Sequence, residues 1–182
     1  MALKATIFRA QLAIADMDRH YYQDHNLTIA RHPSETDERM MVRIVCFGIY
    51  AQEGLEFTKG ISTDSEPDLW QKSLSGEIEH WIDLGQPDEK RIRIACGRAK
   101  RVTVVCYSGN SAATWFKKLK PTLTRFKNLQ IVNIDNKDSQ ELAGLAERKM
   151  TLQVAIDDRL LSISDEHKIL TISPVRWYPE TH

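Results

Sequence analysis

The amino-acid sequence predicts an α/β protein, a mixed β-sheet flanked by helices, opened by an N-terminal hairpin and closed by a C-terminal β meander. Three observations carry that expectation. Apolar residues alternate with polar ones at both ends of the chain, take up helical spacing in between, and form one buried run, Val102-Thr103-Val104-Val105-Cys106. A chain of 182 residues suits one domain over 1–182. With 42% apolar residues, 8 Gly and 6 Pro, the composition excludes a disordered or fibrous protein.

Each element has its own warrant. Phe8, Leu12 and Ile14 fall at even steps while Arg9 and Gln11 face the other way, which makes a half-buried strand. Leu27 to Arg31 alternates again after a polar stretch, so the two should pair as a hairpin. Ser34, with Asp37 three residues on, predicts a capped helix start. The helix to about Gln52 carries Met40, Met41, Ile44, Val45 and Phe47 around much of its girth and should lie deep. Short strands are expected over 55–58, 68–71 and 78–84. Asp88 opens a second helix whose narrow apolar side is Ile92, Ala95, Cys96 and Ala99, with Lys90, Arg91, Arg93, Arg98, Lys100 and Arg101 around the remainder. A helix near 111–118, a strand over 129–134 and a short helix over 139–148 follow the buried run. Strands over 152–156, 160–164 and 169–173 make the closing meander, the first two joined by Asp157-Asp158-Arg159.

Three cysteines, Cys46, Cys96 and Cys106, have no C-x-x-C spacing, so neither a disulfide framework nor a zinc ribbon is indicated. Arg9 interrupts the place where a signal peptide needs its apolar run, and no 18-residue apolar stretch occurs. These features predict a soluble, cytoplasmic protein with no membrane partner.

Charge is balanced overall, 25 Lys plus Arg against 25 Asp plus Glu, but not locally. From Lys90 to Lys127 there are eleven basic residues and no acid, leaving 14 basic against 25 acidic residues elsewhere. Immediately upstream, Glu53 to Glu89 holds ten acids against Lys59 and Lys72. A carboxylate-rich strand region beside a cation-rich helical region is what a site for a divalent ion and a phosphodiester requires. The basic segment is therefore the expected contact for nucleic acid.

Several chemistries lack their signatures. G-x-G-x-x-G, G-x-x-x-x-G-K-[ST], H-E-x-x-H and G-x-S-x-G are all absent. Ser108-Gly109-Asn110-Ser111, ahead of a helix, reads as ordinary capping more than as an anion site. His32 and His80 have no second His or Cys at ligand spacing and read as packing or hydrogen-bonding residues.

The acids that stand out are Asp68, in Glu66-Pro67-Asp68-Leu69-Trp70, and Asp83, fifteen residues later in Trp81-Ile82-Asp83-Leu84-Gly85. On neighbouring strands their side chains can converge, and two converged carboxylates can bind Mg²⁺, which activates water and stabilises charge on a phosphate. This arrangement resembles the PD-(D/E)XK nuclease superfamily. Together with Arg31-His32-Pro33-Ser34-Glu35-Thr36, Glu38-Arg39-Met40 and Pro87-Asp88-Glu89-Lys90-Arg91-Ile92, nearly the whole chain resembles the YaeQ family of small bacterial proteins. That resemblance implies a variant of the restriction-endonuclease-like core, with Asp68 and Asp83 in the positions of the two motif acids and Glu38 as the extra acid some members add to the metal. It implies Mg²⁺, or Mn²⁺, as the ion. The pattern departs at one position: the motif Lys two residues after Asp83 is Gly85. A cation from Lys90, Arg93 or Lys100 is the expected substitute, reaching back across Gly85 to within about 6 Å of Asp83. Two functions follow: a metal-dependent nuclease acting on nucleic-acid phosphodiesters, or a catalytically inactive module binding nucleic acid or protein.

Overall fold

The computed structural model describes residues 4–59 and 64–180. It contains strands β1 (Thr6–Asp16) and β2 (Tyr21–Arg31), helix α1 (Asp37–Tyr50), then β3 (Leu55–Phe57), β4 (Leu69–Lys72) and β5 (Ile78–Leu84). Helix α2 (Glu89–Arg98) and β6 (Ala99–Cys106) lead to α3 (Asn110–Leu119), a 3-10 helix over Lys120–Arg125 and β7 (Leu129–Asn133). The chain ends with α4 (Asn136–Ala143), β8 (Lys149–Asp157), β9 (Leu160–Ser164), β10 (Ile169–Ile172) and β11 (Val175–Tyr178).

The expected α/β class is what forms, with one difference: the strands divide into two mixed sheets rather than one. A five-stranded sheet has the order β10-β9-β8-β1-β2 and a six-stranded sheet the order β11-β7-β6-β5-β4-β3. In the first, β1 pairs antiparallel with β2 and parallel with β8, so the N-terminal hairpin and the C-terminal meander share a sheet. In the second, β5, β6 and β7 run parallel, linked by crossovers that carry α2 and α3. Helix α1 lies between the sheets. Its residues Met40 to Gly48 are all buried, and the surrounding core includes Leu12, Ile29 and Leu152 from one sheet and Leu69, Ile82 and Val105 from the other. That double contact is why this helix is apolar around its girth. On the far face of the six-stranded sheet, Ile92 and Ala95 of α2, Ala112 of α3 and Leu123 close a second core over Trp81, Val102 and Val104. The layers therefore run sheet, helix, sheet, helix.

Boundaries differ from expectation for local reasons. Helix α1 is capped by Thr36, whose hydroxyl accepts the Arg39 N–H at 3.1 Å, while Ser34 is bound instead to the His32 ring. Helix α4 starts three residues early because Asp135 accepts the Lys137 N–H at 2.9 Å and supplies the cap. Helix α2 stops at Arg98, and the strand β6 begins at Ala99, so Lys100 and Arg101 are strand residues. Strand β11 lies between Pro174 and Pro179, which disguise it in the sequence. Among the described residues no helix is long and apolar enough to cross a membrane.

Because α1 fills the space between two sheets, shortening a side chain there leaves a cavity neither sheet can close. Ile44→Ala should cost about 2–5 kcal/mol of stability in urea unfolding, whereas Ile94→Ala, on the 45% exposed outer side of α2, should cost less than about 0.5 kcal/mol.

Candidate functional site

Two buried carboxylates stand at the same end of the paired strands β4 and β5 in the six-stranded sheet. Asp68 immediately precedes β4, and its backbone N–H bonds the Ile82 carbonyl at 3.0 Å, which ties it to β5. Asp83 is the next-to-last residue of β5. Both are nearly sealed from solvent, at 4% and 2% exposure, and their charges interact. The two acids thus lie at the same end of neighbouring strands, near enough for the Asp68 charge to reach Asp83, while each carboxylate turns to its own arginine.

Each carboxylate is held by an arginine. Asp68 accepts from Arg39 of α1 at 2.7 Å on one oxygen and from the Leu84 backbone N–H at 2.8 Å on the other. Arg39 also donates to Glu35 at 2.7 Å, and the second oxygen of Glu35 accepts from buried Arg43 at 2.5 Å. Asp83 is gripped bidentately by Arg91 of α2, Nε to one oxygen at 2.8 Å and a terminal nitrogen to the other at 2.9 Å. The same guanidinium donates to the carbonyls of Asp64 at 3.0 Å and Glu66 at 2.9 Å. Arg98 adds a bond to the Ser65 carbonyl at 2.6 Å. The chain leading into Asp68 is thereby clamped to α2.

Electrostatics follow from this burial. Desolvation raises the Asp83 carboxyl above its usual range, outweighing the hydrogen bonds and charge of Arg91 that pull it down. Burial works against the Arg39 charge, but Asp68 and Glu35 together hold the guanidinium above its ordinary value. Burial pushes the Tyr107 phenol up to about 12, and the charges of Arg39, Glu38, Asp68 and Glu35 all reach it. Glu38 therefore lies in the same neighbourhood. Its carboxylate accepts from Ser139 of α4 at 2.6 Å.

The three expected cations are elsewhere. Lys90 and Arg93 are exposed on α2, and Lys100 pairs on the surface with Glu79 at 2.7 Å and Glu77 at 3.3 Å. The reason for Lys100 is the early end of α2, which places it on β6 pointing away from Asp83. Gly85 also differs from its expected part: the space where its Cβ would stand is empty, and no side chain crosses it. What excludes Lys at this position is the backbone, whose φ of +93° lies in the region that L side chains rarely adopt.

As arranged, the acids fit guanidinium groups rather than a hard divalent ion. The oxygens of Asp68 and Asp83 that Mg²⁺ or Mn²⁺ would need already accept from Arg39, Arg91 and the Leu84 N–H. Among the described residues no cluster of three His, Cys, Asp or Glu side chains has a metal-binding arrangement.

Arg39, Arg43, Glu35 and Arg91 were not expected at the site. Glu35, Arg39 and Arg43 repeat at four-residue steps leading into a helix otherwise apolar around its girth, and this pattern places them on one buried side. Arg91 lies three residues after the Asp88 cap, whose carboxylate accepts the Arg91 N–H at 2.8 Å. Nothing in residue type separated it from Lys90 and Arg93.

Removing Arg91 strands a buried charge, so Arg91→Ala should lose about 3–5 kcal/mol in urea unfolding at neutral pH. The Asp83 pKa, already raised in the folded state, should rise further. A raised folded pKa means the native state binds a proton more readily than the unfolded chain, so this penalty is present at neutral pH and is relieved as pH falls through the folded pKa. Comparing the Arg91→Ala unfolding midpoint at pH 7 and pH 5 should show the deficit shrinking, and Asp83→Asn in the same background should remove its pH dependence.

The comparisons with known proteins agree in one direction. A family model described as YaeQ protein matches residues 1–174. The uncharacterized protein YaeQ of Escherichia coli K12 is 40% identical over 177 residues, 97% of this chain and 98% of its own length. That of Salmonella typhi is 41% identical with the same coverage. Among solved structures, the YaeQ protein of Xanthomonas axonopodis pv. citri superposes with a TM-score of 0.92 at 44% identity, covering 95% of this chain and 98% of its own. The YaeQ protein of Pseudomonas syringae superposes with a TM-score of 0.92 at 32% identity, covering 97% of each chain. With both sequence and fold matched along nearly its whole length, this chain belongs to the YaeQ family.

Proposed function

We propose that this protein is a catalytically silent, PD-(D/E)XK-like module that binds nucleic-acid phosphodiesters through its outer helical layer. The observation that carries the reading is the division of the cations into two groups. Those at the acid pair, Arg39 and Arg91, are consumed by Asp68 and Asp83, and Gly85 stands where a catalytic Lys would act. Of the others, Lys100, Lys120 and Arg125 pair with surface acids. Lys90 and Arg93 of α2, Lys117 and Lys118 of α3, and Lys127 are exposed and have no carboxylate partner among the described residues. Helices α2 and α3 and the 3-10 helix cover the same face of the six-stranded sheet, so these cations share one layer. Glu89, at the start of α2, is itself neutralised by Arg125 at 3.0 Å. Such a layer supplies sequence-independent attraction to a phosphate backbone.

A second reading keeps the chain as a metal-dependent nuclease using Mg²⁺ or Mn²⁺ at Asp68, Asp83 and Glu38. The electrostatic coupling of the two Asp residues and the nearness of Glu38 favour it. It requires Arg39 and Arg91 to leave the carboxylates.

Fluorescence anisotropy with a labelled duplex and the corresponding single strand separates the two. Binding should weaken steeply with salt, and replacing Lys90, Arg93, Lys117 and Lys118 by Ala should lower the slope of log K against log salt by about 0.7–0.9 per lost phosphate contact. No cleavage is expected with added Mg²⁺ or Mn²⁺. Cleavage that disappears in Asp68→Asn would establish the nuclease, and unchanged binding in the fourfold variant would remove the helical layer as the interface.

A further inference from the structure

On the side of the six-stranded sheet that faces the five-stranded one, beyond the C-terminal end of α1, lies a cleft of about 700 Å³. Its walls come from distant parts of the chain: the β1–β2 turn, the end of α1, β6, β7, the β8–β9 turn and the start of β11. It is separate from the acid pair and from the outer helical layer. Four arginines line it, Arg19, Arg101, Arg159 and Arg176, against two acids, Asp16 and Asp18.

The acids do not balance them. Asp16 is committed to Arg19, Nε to carboxylate at 2.6 Å, and Arg19 also donates to the Ala51 carbonyl at 2.8 Å. Asp18 accepts two backbone N–H groups, from Asp158 at 2.8 Å and Arg159 at 2.9 Å. Arg101 has only a neutral partner. Its guanidinium donates to Nδ1 of buried His80 at 3.0 Å, and since Arg cannot accept, Nε2 of that ring must carry the proton and donate to Thr103 at 2.8 Å. Burial, with the Arg101 charge beside it, lowers His80 to about 3 and keeps the ring neutral. The Arg159 and Arg176 side chains have no carboxylate partner among the described residues. Three guanidinium groups without a carboxylate partner among the described residues thus line one cleft, and their summed positive field favours an anion within it.

The turn that presents Arg159 adds an independent indication. Asp158 and Arg159 connect β8 to β9 with φ of 49° and 64°, the left-handed pair of a tight hairpin that Asn-Gly or Asp-Gly ordinarily occupies. Arg at the second position is strained relative to Gly, and the chain compensates by pinning both N–H groups on Asp18. Where Gly would relieve that strain, the chain places the Arg159 side chain on the cleft. Behind the guanidinium rim the wall is apolar, formed by Ile49, Val132, Ile156 and Pro174, with Tyr50 edge-on to the His80 ring at 5.1 Å between centroids. A cationic rim over an apolar wall, in a volume that suits one small ligand, selects a molecule with phosphates at one end and a flat organic body at the other.

We propose that this cleft binds a nucleotide-sized organic phosphate, its phosphates held by Arg101, Arg159 and Arg176 and its organic part against the apolar wall. Calorimetric titration of the full chain with ATP, inorganic tripolyphosphate and adenosine, without added divalent metal, tests it. ATP should bind, tripolyphosphate more weakly and adenosine not measurably. Arg159→Asn, which keeps a residue tolerant of the left-handed turn, and Arg176→Gln should each weaken ATP at least tenfold, while Lys117→Ala with Lys118→Ala should leave it unchanged. Circular dichroism of each variant verifies that the fold is retained, and oligonucleotide binding by Arg159→Asn should match wild type, which separates this cleft from the outer helical layer. No ATP binding at millimolar concentration, equal affinity for tripolyphosphate and ATP, or undiminished binding in both arginine variants would overturn the proposal.

Discussion

The protein is organised around the enclosure of ionic groups by helices on both faces of its larger sheet. From α1, Arg39 reaches Asp68; from α2, Arg91 reaches Asp83; the two acids lie at the same end of neighbouring strands. Neither acid could be buried alone, because an isolated charge in a dry interior is far more costly than any packing contact is favourable. The two arginines therefore fix the distance of each helix from the sheet. Arg43 and Glu35 extend the same chain of charges to the Ala30 carbonyl of β2, and so to the other sheet. The bidentate grip of Arg91 on Asp83, and the bridging of Glu35 and Asp68 by Arg39, leave these members little freedom to shift independently.

This reverses the ordinary logic of an acid pair. Two nearby carboxylates repel and call for a cation between them, and here the cations are built into the polypeptide. A metal is exchangeable and confers reactivity on bound water; a guanidinium at the same place is permanent, never deprotonates at physiological pH and polarises nothing into a nucleophile. The Arg91 group has a further task, since its bonds to the Asp64 and Glu66 carbonyls hold the segment entering β4 against α2. One side chain thus serves as counterion and as fastener.

How much of this was legible in the residues depends on range. The alternation of β1, the continuous burial of β6 and the all-round apolarity of α1 were readable because each pattern is set by a local period that burial enforces. Asp68 and Asp83 stood out because Pro67-Asp68 followed fifteen residues later by an Asp near the end of a strand forms a recognisable spacing. The division into two sheets was not, since nothing in β1 announces that it will pair with β8 instead of with its sequence neighbours in the larger sheet. Nor could Arg91 be separated from Lys90 and Arg93. All are cations on one short helix, and only the rotation of that helix, set by Ile92 and Ala95 against the sheet, decides which faces inward. Lys100 failed as a candidate through a single boundary, the end of α2 at Arg98, and element ends are where periodicity carries least information.

The parallel pairing of β1 with β8 brings Arg9 opposite Lys149, nearly the full length of the chain away. On a ribosome, the β1–β2 hairpin has its buried face ready long before the strand β8 that pairs with it has been made. Alanine and isoleucine positions on that face, with β1 presenting an unpaired edge, form a template open to any extended segment nearby. The smaller sheet therefore cannot close until β8 has been made, and α1, which follows the hairpin directly, is the first element able to cover the exposed apolar face.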